Sequence, residues 1–269
     1  MKQRVITASV LAPLAIALIL LAPTVWFMAV LAIALLLALW EWTRLIDIRA
    51  RPARAAVLLL NVGLMAVLAL HGWPQAFMVV TAAGAASWLL VCLWLWRPGF
   101  ASGPSGKPLK LFAGSMMVVP AWCAIALLHA DSPLGPRWAL FGLMLVWAAD
   151  TFAYFAGSRI GGRKLAPRIS PGKTWAGFWG GLVGACLICI PAAPLLGLAW
   201  SRVPVLMGLA LVVALASVVG DLFESLIKRQ AGAKDSGTLI PGHGGVLDRI
   251  DSVVAALPVF VVGKMLLGL

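Results

Sequence analysis

The sequence predicts an all-α, polytopic integral membrane protein with about nine transmembrane helices. Three observations support this class: the composition, the apolar stretches and the distribution of basic residues. Of the 269 residues, 62% are hydrophobic and 11% are charged, and the mean hydropathy is +1.02. Soluble domains carry roughly a quarter charged and about half apolar residues, so a single core cannot bury this excess. The composition therefore excludes a soluble enzyme.

The apolar stretches give the predicted spans, because a helix needs about 20 mostly apolar residues to cross the hydrocarbon layer. They cover residues 5–22, 24–43, 55–71, 75–96, 109–129, 137–156, 175–198, 203–224 and 251–268. Lys2 and Arg4 before the first stretch also fit a signal peptide. The next stretch follows almost at once, however, and the small-residue cleavage pattern is unconvincing. We therefore expect residues 5–22 to be the first span.

The basic residues orient these spans. When the connections alternate between the two sides, the 21 Lys and Arg residues fall on one side, except for Arg137, Arg202 and Lys264. Loops rich in Lys and Arg remain in the cytoplasm. We therefore expect the N-terminus in the cytoplasm and the C-terminus outside.

Four glycines in the seventh stretch predict close helix packing. Gly177 with Gly181, and Gly180 with Gly184, form two overlapping patterns of small residues spaced four apart. This spacing lets two helices approach closely within a membrane. We interpret these glycines as packing residues.

The nine acidic residues are few enough to place individually. Glu41 and Asp47 lie near the end of the second stretch and Asp131 lies in a short turn, so we interpret all three as interfacial charges. The others fall in the second half of the chain, beside its two most basic loops: Asp150, Asp221, Glu224, Asp235, Asp248 and Asp251.

Asp150 lies in an apolar helix, about 9 Å from its predicted cytoplasmic end at 1.5 Å per residue. A carboxylate at this depth usually lines a polar cavity or binds an ion, and the Asp side chain is too short to reach water from there. We therefore expect Asp150 to line a functional cavity.

Two carboxylate pairs lie further along the chain. Asp221, Glu224, Ser225 and Lys228 share one helical stripe, and Asp248 and Asp251 repeat the three-residue spacing where the last span begins. Neighbouring carboxylates repel each other unless a cation lies between them. Helix capping accounts for one carboxylate at the start of the last span, but it does not explain both pairs.

Two cytoplasmic loops combine these acids with basic residues and glycines. In residues 234–249, the glycines let backbone N–H groups approach a phosphate, although the segment also fits a plain flexible loop. In residues 159–175, Ser170, Lys173 and Thr174 precede a helix and suit a phosphate contact, although the basic residues could serve topology alone. Paired carboxylates suit Mg²⁺ rather than zinc. Together the loops predict phosphoryl or nucleotidyl transfer at the cytoplasmic surface of a membrane.

The segment 225–251 resembles a complete family signature. It reads Ser-Leu-Ile-Lys-Arg-x4-Lys-Asp-x-Gly-x2-Ile-Pro-x-His-Gly-Gly-Val-x-Asp-Arg-Ile-Asp, which is similar throughout to the phosphatidate cytidylyltransferases, also called CDP-diacylglycerol synthases. The likeness extends back to Asp150. It departs at Gly172, where many members carry a basic residue, so we assign Gly172 no phosphate contact. Residues 1–149 are similar only in being hydrophobic spans.

The resemblance implies a membrane enzyme that joins CTP to phosphatidic acid, giving CDP-diacylglycerol and pyrophosphate. It further implies Mg²⁺, with a second cation as an option, a homodimer among membrane lipids, no nucleic acid, and an active site at the cytoplasmic face of a bacterial-type inner membrane. On this basis we expect residues 1–135 to pack, dimerise and face lipid, and residues 136–269 to form the catalytic region.

The resemblance also implies roles for individual residues. The expected metal ligands are Asp221, Asp248 and Asp251. The expected catalytic residues are Asp150, Lys173, Asp221, Glu224, Lys228, Asp235, His243, Asp248, Arg249 and Asp251. The expected substrate contacts are Ser170, Lys173, Thr174, Ser225, Lys228, Arg229, Lys234, Gly244, Gly245 and Arg249.

Three other functions are compatible with parts of the sequence. A transporter or ion channel also contains intramembrane carboxylates, but here the acids cluster at one face and no internal repeat is evident. A scaffold that binds anionic lipid through basic loops leaves the paired carboxylates unexplained. Another transferase of CDP-lipids or prenyl diphosphates would carry acidic motifs that are missing from this sequence.

The orientation is testable with a reporter fused after Leu269. We expect the reporter to read as external, because the Lys and Arg distribution places the C-terminus outside. Fusion at residue 50 provides the matched control and is expected to read as cytoplasmic. A cytoplasmic reading at Leu269 would overturn the nine-span arrangement.

Overall fold

The computed structural model describes residues 2–72, 74–97, 99, 106–131, 133–240, 242 and 244–269, and only the backbone at residues 2–8, 10 and 11. The described residues form ten α-helices and one two-stranded antiparallel sheet. The helices are α1 (Lys2–Leu21), α2 (Thr24–Leu45), α3 (Arg51–His71), α4 (Pro74–Trp96), α5 (Lys107–Ala130), α6 (Gly135–Ile160), α7 (Trp175–Leu187), α8 (Cys189–Leu195), α9 (Val203–Gln230) and α10 (Leu247–Leu266). The strands are β1 (Lys164–Ala166) and β2 (Ser170–Thr174).

Each of the nine predicted spans corresponds to helix, which confirms the all-α membrane class. The seventh is divided into α7 and α8 at Ile188. Pro191 has no N–H to donate to the carbonyl of Leu187, and this loss favours a break there. By length and composition, seven of the described helical segments can cross a membrane: α2, α3, α4, α5, α6, α7 with α8, and α9. The total of nine spans and the sides of the termini stay predictions.

Helix α10 lies at the centre of the bundle, where it packs against α2, α4, α5, α6 and α9. Its buried face includes Ala255, Leu257 and Phe260. Because protein surrounds α10 on several sides, this helix does not need the uniformly apolar surface of a lipid-facing span. It therefore tolerates charged residues at both ends, among them Asp251 and Lys264.

Polar contacts join the helix ends at two opposite ends of the bundle. At one end, Lys107 Nζ lies 3.0 Å from Asp47 Oδ2, and Arg229 Nε donates to the carbonyl of Ile169 at 3.3 Å. At the other end, Lys264 Nζ lies 2.9 Å from Asp131 Oδ2. These contacts tie together the helix ends at each end of the bundle.

An aromatic cluster ties the N-terminal helices to α9. Phe223 is fully buried, and its ring centroid lies 5.7 Å from that of Trp42 on α2 and 5.2 Å from that of Trp94 on α4. Trp88 contacts the same ring edge-on at 6.1 Å. Phe223 is next to Glu224 in the chain, so α2 and α4 pack directly behind the acidic part of α9.

The glycines of α7 pack against α6, which confirms the packing interpretation. A Cβ atom on Gly181 would lie 3.0 Å from the carbonyl oxygen of Ala149, and one on Gly184 would lie 2.5 Å from Cγ of Phe152. Small residues are therefore required for this approach. The close contact fixes α7 beside the part of α6 that carries Asp150.

Substitution of Gly181 by valine is expected to destabilise the bundle by about 1–3 kcal/mol, because the added atoms force α6 and α7 apart. The thermal unfolding midpoint of the detergent-solubilised protein measures this effect. Gly63→Val on α3 is the matched control, since a Cβ there meets nothing within 4 Å. Equal midpoints for the two variants would contradict the packing argument.

Candidate functional site

A cavity of about 510 Å³ lies between α6, α7, α9 and the hairpin that β1 and β2 form. Asp150, Lys173 and Asp221 line it together with apolar residues such as Leu182 and Val218. Protein packs around Asp150, but its carboxylate remains accessible because it faces the cavity. Asp150 thus lines a cavity with both a charged and an apolar part. A functional role for this cavity stays a prediction.

The hairpin places Lys173 at this cavity. Thr174 pairs with Lys164 across the hairpin, and its hydroxyl accepts a hydrogen bond of 3.0 Å from the backbone N–H of Gly177. This contact caps the N-terminus of α7. Lys173 therefore has a fixed backbone position, and its Nζ lies 2.5 Å from Asp221 Oδ2.

Three carboxylates gather around this lysine. Asp150, Asp221 and Asp251 repel one another, and the positive charge of Lys173 offsets part of the repulsion. Ser225 donates to Asp221 Oδ1 at 3.3 Å. Three carboxylates with one lysine make this a region that favours a further cation.

A second charged cluster joins α9 to α10. Lys228 Nζ lies 2.5 Å from Glu224 Oε2 and 2.7 Å from Asp248 Oδ1. The side chains of Glu224 and Asp248 are 0% and 4% exposed, respectively, so the lysine neutralises charges that have little access to water. Removing one partner of such a group leaves a buried charge without compensation.

Asp248 also binds the loop that precedes α10. Its Oδ2 accepts hydrogen bonds from the backbone N–H of Ser236 at 2.9 Å, the Ser236 hydroxyl at 2.9 Å and the N–H of Gly245 at 2.8 Å. Burial raises the pKa of Asp248, but the bonds from Lys228, Gly245 and Ser236 outweigh it and lower the pKa to about 2. Asp248 is therefore ionised at neutral pH.

Glycines shape the described part of the loop 231–246, and the predicted approach of its N–H groups to a phosphate stays a prediction. Ile240 N donates to the carbonyl of Gly244 at 2.9 Å. Gly242 and Gly244 have φ angles of 77° and 84°, a region that favours glycine. A Cβ on Gly244 would lie 2.7 Å from Asp248 Oδ2. Gly244 thus allows the loop to pass close to this carboxylate.

The remaining predicted residues lie around these clusters. Lys234, Asp235 and Arg249 are exposed, and Arg249 acts electrostatically on Asp150. Ser170 begins β2 opposite Ala166, and Arg229 binds the hairpin through Ile169. The prediction for His243 lies outside the described residues.

The interpretation of Glu41 as an interfacial charge is wrong. Glu41 is 4% exposed. Its carboxylate accepts hydrogen bonds from three residues of the signature segment: Ser236, Val246 and Leu247. Asp47 and Asp131 are exposed, as predicted. Ser236 was likewise not among the predicted site residues. The available signal was the position of Glu41 between Trp40 and Trp42 in an apolar helix, where a carboxylate needs a partner.

The expected metal ligands lie in two different clusters. Asp221 and Asp251 belong to the group around Lys173, whereas Asp248 belongs to the group around Lys228. Within the part of the chain that the structure describes, no three Asp, Glu, His or Cys side chains converge as a ready metal site. Asp221, Asp251 and Asp150 nevertheless supply the hard oxygens that suit Mg²⁺.

The chain is similar to known proteins over nearly its whole length. A model of the cytidylyltransferase family matches residues 2–266. A phosphatidate cytidylyltransferase of Pseudomonas aeruginosa is 41% identical over 262 residues, covering 97% of this chain and 95% of that protein. One from Haemophilus influenzae is 37% identical over 283 residues, covering 97% of each. One from Brucella melitensis is 48% identical over 141 residues, covering 49% of this chain and 48% of that protein. This chain therefore belongs to the cytidylyltransferase family.

Proposed function

We propose that the protein transfers the cytidylyl group of CTP to phosphatidic acid, giving CDP-diacylglycerol and pyrophosphate. The observation that carries this proposal is the pairing of Lys173 with Asp221 in a mostly apolar cavity at one end of a membrane bundle. Full-length similarity to phosphatidate cytidylyltransferases supports the choice of substrates.

The cavity suits a lipid that carries a phosphate. Its apolar lining, which includes Phe178, Leu182 and Val218, is compatible with the upper part of an acyl chain. Lys173 lies at the charged part and is available to a phosphate if its contact with Asp221 opens. The lipid headgroup would then be held where Asp150 and Asp221 face it.

The reaction forms one P–O bond and breaks another. An oxygen of the lipid phosphate attacks the α-phosphorus of CTP in line, and the bond between the α-phosphorus and the oxygen that bridges it to the β-phosphorus breaks as pyrophosphate leaves. Two anions must meet, so cationic groups have to offset their charge. Four basic residues lie in or beside the loop 231–246, called here the signature loop, and are suited to bind the CTP phosphates: Lys228, Arg229, Lys234 and Arg249.

We further propose that Asp221, Asp248 and Asp251 hold Mg²⁺. When bound, the ion would neutralise phosphate charge and stabilise the departing pyrophosphate. Asp221 and Asp251 already lie in the same carboxylate group. Asp248 would join them by exchanging its contact with Lys228, and that exchange would free the lysine for a phosphate.

The basic loops also indicate the membrane face at which the active site lies. We place the site at the cytoplasmic face of a bacterial inner membrane, because the basic loops gather at that end and the relatives are bacterial. The homodimer that the resemblance implies is part of this proposal.

Asp221→Asn and Asp248→Asn are each expected to lower CTP-dependent turnover roughly 10²–10³-fold, the usual effect of removing one electrostatic group from a reaction centre. Incorporation of radiolabelled CTP into lipid by purified protein with Mg²⁺ measures this. Asp47→Asn, an exposed carboxylate outside the site, is the matched control. Near-normal turnover in either site variant would overturn the metal assignment.

Two other outcomes would indicate a different function. Pyrophosphate release without lipid product would indicate a hydrolase, and ion flux in proteoliposomes would indicate a transporter.

Lys228→Met is expected to destabilise the protein by about 3–5 kcal/mol, because it leaves buried Glu224 and Asp248 without their cation. The thermal midpoint in detergent measures the loss, and Lys164→Met, at the exposed first residue of β1, is the control. Adding Glu224→Gln to Lys228→Met should restore part of the midpoint. A midpoint that Glu224→Gln lowers further would contradict the charge argument.

A further inference from the structure

Glu41 is a buried carboxylate that the proposed reaction does not yet use. It lies near the end of α2 and is 4% exposed. Within the described part of the chain, no Lys or Arg forms an ion pair with it. A buried carboxylate without a cation requires hydrogen-bond donors. The hydrogen-bond donors to Glu41 therefore show which segments of the chain this carboxylate holds in place.

Three hydrogen-bond donors to Glu41 come from the C-terminal part of the chain. Ser236 Oγ donates to Oε2 at 3.0 Å, Leu247 N donates to Oε2 at 2.9 Å, and Val246 N donates to Oε1 at 3.1 Å. Val246 and Leu247 begin α10, so the carboxylate binds N–H groups that have no partner inside that helix. Glu41 thus caps α10 from a different helix.

The loop backbone packs directly on this carboxylate. A Cβ on Gly237 would lie 2.7 Å from Cδ of Glu41, and one on Gly245 would lie 2.6 Å from the same atom. Any side chain at these two positions would displace the carboxylate. The signature loop is therefore shaped around Glu41 on one side and around Asp248 on the other.

Ser236 connects the two carboxylates. Its hydroxyl lies 3.0 Å from Glu41 Oε2 and 2.9 Å from Asp248 Oδ2, and its single proton can be donated to only one of them at a time. Its backbone N–H donates to Asp248 in either case. Glu41 thereby fixes both segments that position Asp248, namely Ser236 before the turn and Val246–Leu247 after it.

We propose that Glu41 is a positioning residue for the nucleotidyl transfer: by binding Ser236 and the first N–H groups of α10, it sets the place of Asp248 in the site. This inference rests on the proposed function. It makes the N-terminal half of the chain part of the active-site support, in addition to any role in packing.

Glu41→Gln is the most direct variant, because it keeps the shape but replaces one accepting oxygen with an amide nitrogen that cannot accept. One loop donor then loses its partner. We expect kcat to fall about 10–100-fold, as substitutions that misplace the ligands of a reaction centre do. The KM for phosphatidic acid should stay close to the wild-type value, and the thermal midpoint should fall by no more than the loss of one hydrogen bond explains. Asp47→Asn, at an exposed position just beyond the C-terminal end of the same helix, is the matched control.

A double-mutant cycle tests the connection through Ser236. Ser236→Ala alone should also lower kcat, and the Glu41→Gln/Ser236→Ala protein should lose less than the product of the two single losses, because both changes disrupt one contact. A purely structural role for Glu41 predicts instead that kcat falls only together with the thermal midpoint. Unchanged kcat in Glu41→Gln, or losses that multiply fully, would overturn the proposal.

Tryptic cleavage after Lys234 tests the loop without any activity measurement. Lys234 is exposed in the loop that Glu41 holds. We expect faster cleavage there in full-length Glu41→Gln than in wild type or Asp47→Asn. A wild-type enzyme without CTP-dependent turnover would refute the proposed function, whereas equal cleavage rates in wild type and Glu41→Gln would refute the positioning role.

Discussion

Carboxylates buried in a membrane-embedded bundle must have their charge offset by a cation or by hydrogen-bond donors. This constraint organises the functional end of the molecule. Asp221 meets Lys173, Glu224 and Asp248 share Lys228, and Glu41 meets the loop that begins α10. Glu224 and Lys228 lie one turn apart on α9, whereas the other contacts join segments that are distant in the chain. The charged residues therefore hold the helices in register as well as forming the site.

The two lysines give the site a way to change state. Each is bound to carboxylates in the structure, and each lies where a phosphate is expected under the proposed function. A phosphate that binds Lys173 or Lys228 draws the lysine away from its carboxylates. Those carboxylates then need another cation. Under the proposed function, binding of an anionic substrate and binding of a divalent ion would therefore be coupled by the same charges.

The local patterns predicted much of the fold. The apolar stretches correspond to helices because a span must be both apolar and hydrogen-bonded within itself. The small residues of α7 predicted the packing of Gly181 and Gly184 because close helix approach excludes side chains. The division of the seventh stretch at Ile188 was not predicted, although Pro191 was available as a signal. Asp150 was recognised because a carboxylate among apolar residues is unusual.

The interpretation of Glu41 as an interfacial charge used only its closeness to the end of the second apolar stretch. Its partners Ser236 and Leu247 are 195 and 206 residues away, so no local spacing could identify them. For the same reason, the sequence could not divide the carboxylates between the Lys173 and Lys228 clusters. The sequence alone determined the membrane class, the helices and the signature residues, because these depend on composition and short-range order. Only the tertiary structure decided which buried charge meets which donor, because that depends on how distant helices pack.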